Sequence, residues 1–238
     1  MKIPLFVEIF GEPEVGKTYL SAHFPKVLYL DTTAKREAYP VVRSVIGDEI
    51  DKRYIWVTSF SDVRNAVVRL KGDTEGFYKT VVVDTSADLQ KLAVQEWLKE
   101  HKGRERPLPF EYGEIRAKID EFISSVVRME RNLVFTSQMK DEYSTGTDPM
   151  GRVVSVKTGR RVRDGYEKTR FLADLRIYLS LREDEGGKFV RKSIVVKNRF
   201  RNRSDSNSFI FELPSYDWEG IKKLVICETG LKEDEIVE

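Results

Sequence analysis

The chain has 238 residues, with 41 Lys plus Arg against 39 Asp plus Glu and a formal net charge of +2. So even a balance excludes a global field that draws the protein to nucleic acid, and any such binding has to come from a local patch. The lone Cys227 excludes a disulfide framework and a CxxC site, the isolated His23 and His101 argue against zinc, and no apolar run reaches the length of a membrane span.

The apolar run Ile3–Phe10 is suited to a buried strand over Leu5–Phe10. It feeds FGEPEVGKTYL, where Gly11, Gly16, Lys17 and Thr18 stand in the spacing G-x-x-x-x-G-K-T, and Thr18–Phe24 continues as a short helix stopped by Pro25. Strand, glycine loop and helix are the setting of a phosphate cradle. A phosphate chain needs converging backbone N–H donors, and glycine lets the backbone approach without a side chain in the way. The nucleotide-binding stretch therefore reads Gly11, Glu12, Pro13, Glu14, Val15, Gly16, Lys17, Thr18 and Tyr19. Lys17 reaches the terminal phosphates as a point charge, and the Thr18 hydroxyl ligates Mg²⁺.

Further strands are expected at Val27–Asp31 and Tyr54–Thr58, followed by a helix capped by Ser61. YKTVVVDTS then provides the second half of a nucleotide site: a β-branched strand ending in Asp84, a Walker B carboxylate for the magnesium shell. The helix Ala87–Lys102 places Leu89, Leu92, Ala93 and Trp97 on one face, and Tyr112–Arg131 does the same with Ile115, Ile119, Phe122 and Val126. The strand NLVFTSQ ends at Gln138. Such alternation predicts an α/β fold, a mainly parallel central sheet flanked by helices, with ligand at the carboxyl ends of the strands.

Beyond Gln138 the apolar periodicity fades into a loop or β-ribbon over 140–170 carrying Lys157, Arg160, Arg161 and Arg163. DLRIYLSL and KFVRKSIVVKNR predict an antiparallel C-terminal hairpin, FIFEL a last short strand, and 217–229 a final helix capped at Asp217. The expected organisation is a single domain over 1–238 with its core at about 3–213. Sparse cysteine and a start at Met1-Lys2-Ile3 that enters a strand directly set the expectation of a cytoplasmic protein with no membrane partner.

The order of Walker A, VVVDT, a strand ending TSQ, a basic loop and a hairpin ending VVKNR resembles the RecA-like P-loop ATPases. The likeness is greatest to the small phage and mobile-element members of recombination and single-strand annealing. It implies ATP with Mg²⁺, homo-oligomeric rings or filaments with nucleotide at subunit boundaries, and loops that contact single-stranded DNA. By position, Gln138 senses the γ-phosphate, the 140–165 stretch with Lys157, Arg160, Arg161 and Arg163 faces the nucleic acid, and Lys197 and Arg199 are presented to a neighbour's nucleotide. Lys17 and Asp84 complete the catalytic set.

Plainer readings stand beside these: Gln138 as a strand-end hydrogen bonder, the basic loop as a solvated face, and Lys197 and Arg199 as strand-end caps or parts of a DNA patch. The chain also departs from the pattern. Where RecA-like enzymes place a catalytic Glu beyond the second strand, Asp31-Thr32-Thr33 stands, with no Glu until Glu37. Either Asp31 or Glu37 orients the water, or hydrolysis is slow and the nucleotide acts as a switch. Glu12 and Glu14 beside the phosphates are a second oddity. The rival function is a KaiC-like regulator whose partner is a protein; a small-molecule kinase is disfavoured, since no arginine-rich lid is visible.

Overall fold

The computed structural model describes residues 3–147, 150–183, 187, 189–199, 213, 215–229 and 235–237. Its strands are β1 Phe6–Gly11, β2 Val27–Asp31, β3 Tyr54–Trp56, β4 Thr80–Asp84, β5 Asn132–Thr147, β6 Val153–Asp164, β7 Leu175–Glu183 and β8 Phe189–Asn198. They form one sheet in the order β3-β2-β4-β5-β1-β7-β8, with β6 paired to β5 off this path. Pairing is parallel from β3 through to β7 and antiparallel for β7–β8 and β5–β6.

The helices are α1 Lys17–Ala22, α2 Tyr39–Ile46, α3 Ile50–Arg53, α4 Phe60–Lys71, α5 Ser86–Glu100, α6 Tyr112–Arg128, α7 Thr169–Leu172 and α8 Trp218–Thr229. β1, β2 and β4 are buried at every position, as strands covered on both faces must be. Alternate residues go to two cores. Val7 and Ile9 meet Leu20, Val42, Trp218 and Ile221 on the α1, α2 and α8 side. Phe6, Leu30, Val83 and Phe135 meet Val63, Leu89, Ile115 and Phe122 on the α4, α5 and α6 side.

Two local expectations change and one open alternative is decided. The helix after β3 is capped by Ser59 instead of Ser61, because the Asp62 carboxylate accepts from the Ser59 amide while the Ser59 hydroxyl accepts from the Asp62 amide, a reciprocal box that spacing from Ser61 does not allow. The helix α2, carried by Pro40 in its first turn, was not expected from the sequence. Of the loop and the β-ribbon expected for the basic stretch, the ribbon forms, with the added feature that β5 runs on past Gln138 to Thr147 to pair with β6, mostly exposed. The expected FIFEL strand lies, apart from Leu213, outside the described residues. No described helix is long and apolar enough to cross a membrane.

Candidate nucleotide site

The glycine loop leaves β1 at the carboxyl end of the sheet. A side chain at Gly11 would place its Cβ 2.2 Å from the Leu179 carbonyl oxygen of β7, so only glycine lets the strands pass here. Gly16 has φ 96° and ends the loop in a left-handed conformation at the start of α1. Lys17, nearly buried, donates from Nζ to the carbonyls of Gly11 at 3.1 Å and Glu12 at 2.6 Å. Burial pulls its ammonium below the ordinary lysine value, opposed by the nearby Asp84 and Glu12 carboxylates. A buried cation resting on two loop carbonyls is poised to exchange them for phosphate oxygens.

Asp84, at the end of β4, gathers three hydroxyls. Thr18 Oγ1 donates to its Oδ2 at 2.8 Å and Tyr29 OH to the same oxygen at 2.6 Å, while Thr136 Oγ1 donates to Oδ1. Burial and the Asp84 charge push the Tyr29 phenol well above its ordinary pKa, which keeps it a neutral donor. The strand order explains the meeting: β5 lies between β1 and β4, so Thr136 stands between the glycine loop and Asp84. Thr18 and Asp84 supply the hard oxygen ligands that Mg²⁺ takes, and Lys17 the cation for phosphate, so the residues fit a magnesium nucleotide.

These groups line a cleft of about 480 Å³ with Pro13, Glu14, Gly16, Tyr19, Thr33, Glu37, Ala38, Val41, Ser44, Thr85, Gln138 and Arg191. Gln138 pairs in register with Gly11 and points from the end of the β5 core segment into the cleft region. Of the two carboxylates considered for orienting water, the structure separates them. Asp31 is fully buried and accepts from the Thr33 amide and hydroxyl, the Ala38 amide and the Tyr54 hydroxyl. It organises the β2–α2 turn and has no lone pair directed at the cleft, whereas exposed Glu37 lines it. The two loop acids are also accounted for. Glu12 turns its carboxylate to Arg161 at 2.9 Å, and Glu14, at φ 63°, stands exposed on the rim.

The expected nucleic-acid set is only partly free. Lys157 pairs with Asp141 at 2.7 Å, and Arg161 bridges Glu12 and Asp141. Arg163 is the clear correction: it is almost buried and pairs at 2.5 Å with Glu8 in the middle of β1, so its guanidinium is a structural anchor and cannot face a ligand outside. Glu8, fully buried, also accepts from Arg176 at 2.6 Å and Ser137 at 3.2 Å. The Arg160 guanidinium has no ion-pair partner among the described residues.

Lys197 and Arg199 are not brought to this cleft. Asn198 pairs with Leu175, which pairs with Val7, whereas the glycine loop begins at Gly11. At 3.3–3.4 Å per strand residue, Arg199 is on the order of 15 Å along the sheet from the loop of its own chain. There Lys197 donates to the carbonyls of Arg170, Phe171 and Ala173, and Arg199 to those of Phe171 and Leu172 while pairing with Asp174 at 2.8 Å. Arg191 on β8, by contrast, lines the cleft, and no motif pointed to it; its only signal was a place in the hairpin before VVKNR.

The α/β sheet, the glycine loop on its central strand and the Thr18–Asp84 pair define a P-loop nucleotide-binding protein. The chain matches the model of the AAA domain family over residues 4–202 and belongs to that family. No curated protein matches it.

Proposed function

We propose that the protein is a magnesium-dependent ATPase of the RecA-like kind that acts on single-stranded DNA in recombination, annealing or replication, as a homo-oligomer. The observation that carries the nucleotide part is Lys17 beside the hydrogen-bonded Thr18–Asp84 pair in one cleft. Lys17 exchanges its loop carbonyls for phosphate oxygens, and Thr18 and Asp84 hold the Mg²⁺, which supplies charge neutralisation when bound. Glu37 orients the attacking water, and Gln138 hydrogen-bonds at the γ-phosphate end. The DNA part is supported by the exposed β5–β6 ribbon, with Arg160 and the half-exposed ring of Tyr143, which grows from the strand bearing Gln138. Lys197 and Arg199 are remote from their own loop and hold the carbonyls around α7 and Asp174, so a part in catalysis requires a neighbouring subunit's nucleotide.

Lys17→Ala should weaken Mg-ATP binding tenfold or more, since a charge-assisted contact contributes about 1.5–3 kcal/mol. Unchanged affinity would refute the nucleotide reading. For DNA, neutralising Lys157 and Arg160 should reduce the slope of log affinity against log salt on single strands by about 1.4.

A KaiC-like regulator with a protein partner is the second reading. The internal pairing of Lys140, Lys157, Arg161 and Arg163 favours it, because a ribbon whose cations already hold carboxylates attracts phosphates weakly. A salt slope that does not change on neutralisation selects this reading.

A further inference from the structure

We propose that Arg191 is a nucleotide-binding residue that holds the α- and β-phosphates, on the side of the cleft away from the metal. The inference rests on the nucleotide reading above and adds a residue to it. In the β7–β8 hairpin Arg191 pairs with Leu181, two residues beyond the Leu179 that pairs with Gly11. The hairpin thereby carries the guanidinium past the end of β1 and over the glycine loop. Its Nε lies 3.3 Å, and its Cζ 3.5 Å, from the point a Cβ on Gly16 would occupy, and its Cζ stands 6.0 Å from the centre of the Tyr19 ring.

Among the described side chains that line the cleft, two are cationic, Lys17 and Arg191. The other cation at the loop, Arg161, is spent on Glu12. Arg191 has no carboxylate partner among the described residues, and a guanidinium facing a phosphate cradle with no anion of its own is matched to one supplied by the ligand. Beside it the Tyr216 ring stands 3.5 Å from the same Gly16 position and its hydroxyl donates to the Val15 carbonyl at 3.1 Å, which steadies the loop under the arginine.

Strand order decides which phosphates. Asp84 and Gln138, which mark the metal and the γ-phosphate end, come from β4 and β5 on one side of β1, and Arg191 comes from β8, two strands away on the other. The guanidinium reaches the loop that leaves β1, which at about 4.8 Å per strand is still about 10 Å from β4. The guanidinium therefore meets the nucleotide where the phosphate chain leaves the metal for the sugar, the part that ADP and ATP share.

The test is calorimetric titration of Mg-ADP and Mg-ATP into the full chain, its Arg191→Gln and Arg191→Lys variants, with Lys17→Ala as the control. Arg191 is exposed on β8, so the fold should survive both changes, as a thermal melt would verify. The expected result is a loss of tenfold or more for ADP and ATP alike in Arg191→Gln, with part of it recovered in Arg191→Lys, which keeps the charge and loses the fork. Unchanged affinity for both nucleotides overturns the proposal, and so does a loss confined to ATP, which would put the guanidinium at the γ-phosphate. If Arg191→Gln binds normally while Lys17→Ala does not, the inference fails and the nucleotide reading stands. If the unaltered chain binds neither nucleotide, both fail.

Discussion

Replacing Glu8 by Gln tests how the central strand and the ribbon are joined. Glu8 is fully buried on β1, and its two oxygens accept from Arg163 at 2.5 Å and Arg176 at 2.6 Å, with Ser137 at 3.2 Å. The amide keeps the shape but removes the charge, leaving both guanidiniums without a counter-charge and one of them facing an NH₂ donor. Removing one partner of a buried ion pair costs about 3–5 kcal/mol. The Arg163 and Arg176 side chains retain 10% and 19% exposure and can recover some hydration, so the lower end, about 3 kcal/mol, is expected. For a chain this long each kcal/mol moves Tm by about 2–4 °C, giving a fall of about 6–12 °C. Thermal unfolding by circular dichroism reads it directly. Lys118→Ala is the matched control: its bond to the half-exposed Glu100 is as short, at 2.6 Å, yet a surface pair contributes less than about 1 kcal/mol. A Glu8→Gln protein melting within about 2 °C of the unaltered chain would refute the assignment of Arg163 as an anchor and return it to the ribbon's candidate DNA contacts.

Lys17→Met should not destabilise the nucleotide-free protein at neutral pH. Burial lowers the Lys17 pKa, so its stabilising share is present above the ordinary lysine value and is lost as pH falls through the lowered one; at pH 7 the charged form costs stability. Melts from pH 7 to 10 should show the advantage of Lys17→Met shrinking as pH rises, and a constant difference would exclude a desolvated ammonium. Asp31→Asn gives up acceptor capacity that four donors use, and should cost about 2 kcal/mol by urea unfolding while leaving nucleotide affinity within a factor of about 2; a large affinity loss with normal stability would restore Asp31 as a site residue. Arg199→Ala should bind ATP normally, and if Arg199 completes a neighbour's site, hydrolysis should fall by roughly a thousandfold and recover in part on mixing with Lys17→Ala. No recovery in demonstrated mixed oligomers reduces Arg199 to its contacts with Asp174, Phe171 and Leu172.

The parts of this protein that depend on neighbours in the chain were legible in the sequence. Gly11, Gly16, Lys17 and Thr18 lie within eight residues because one loop must wrap one phosphate chain, and the all-buried strands β1, β2 and β4 appear as mainly apolar runs, with Glu8 the one charge inside β1. The faces of α5 and α6 followed from their helical period, and Asp84 from its place after a β-branched run. Parallel pairing followed from the alternation of strands and helices.

Only the tertiary structure decided what the charged residues do. Arg161 and Arg163 sit two apart in a run that reads as a patch, yet one pairs with Glu12 at the loop and the other with Glu8 inside the sheet, 155 residues away in the chain. Asp31 looked as available as Glu37 until the β2–α2 turn folded its donors around it. Arg191, unmarked by any motif, reaches the cleft because the β7–β8 register carries it two residues past the glycine loop. Hydrophobic period and loop chemistry are local and survive in a linear pattern. An ion pair is set by which surfaces the packed sheet brings within about 4 Å, and spacing along the chain carries no record of that distance.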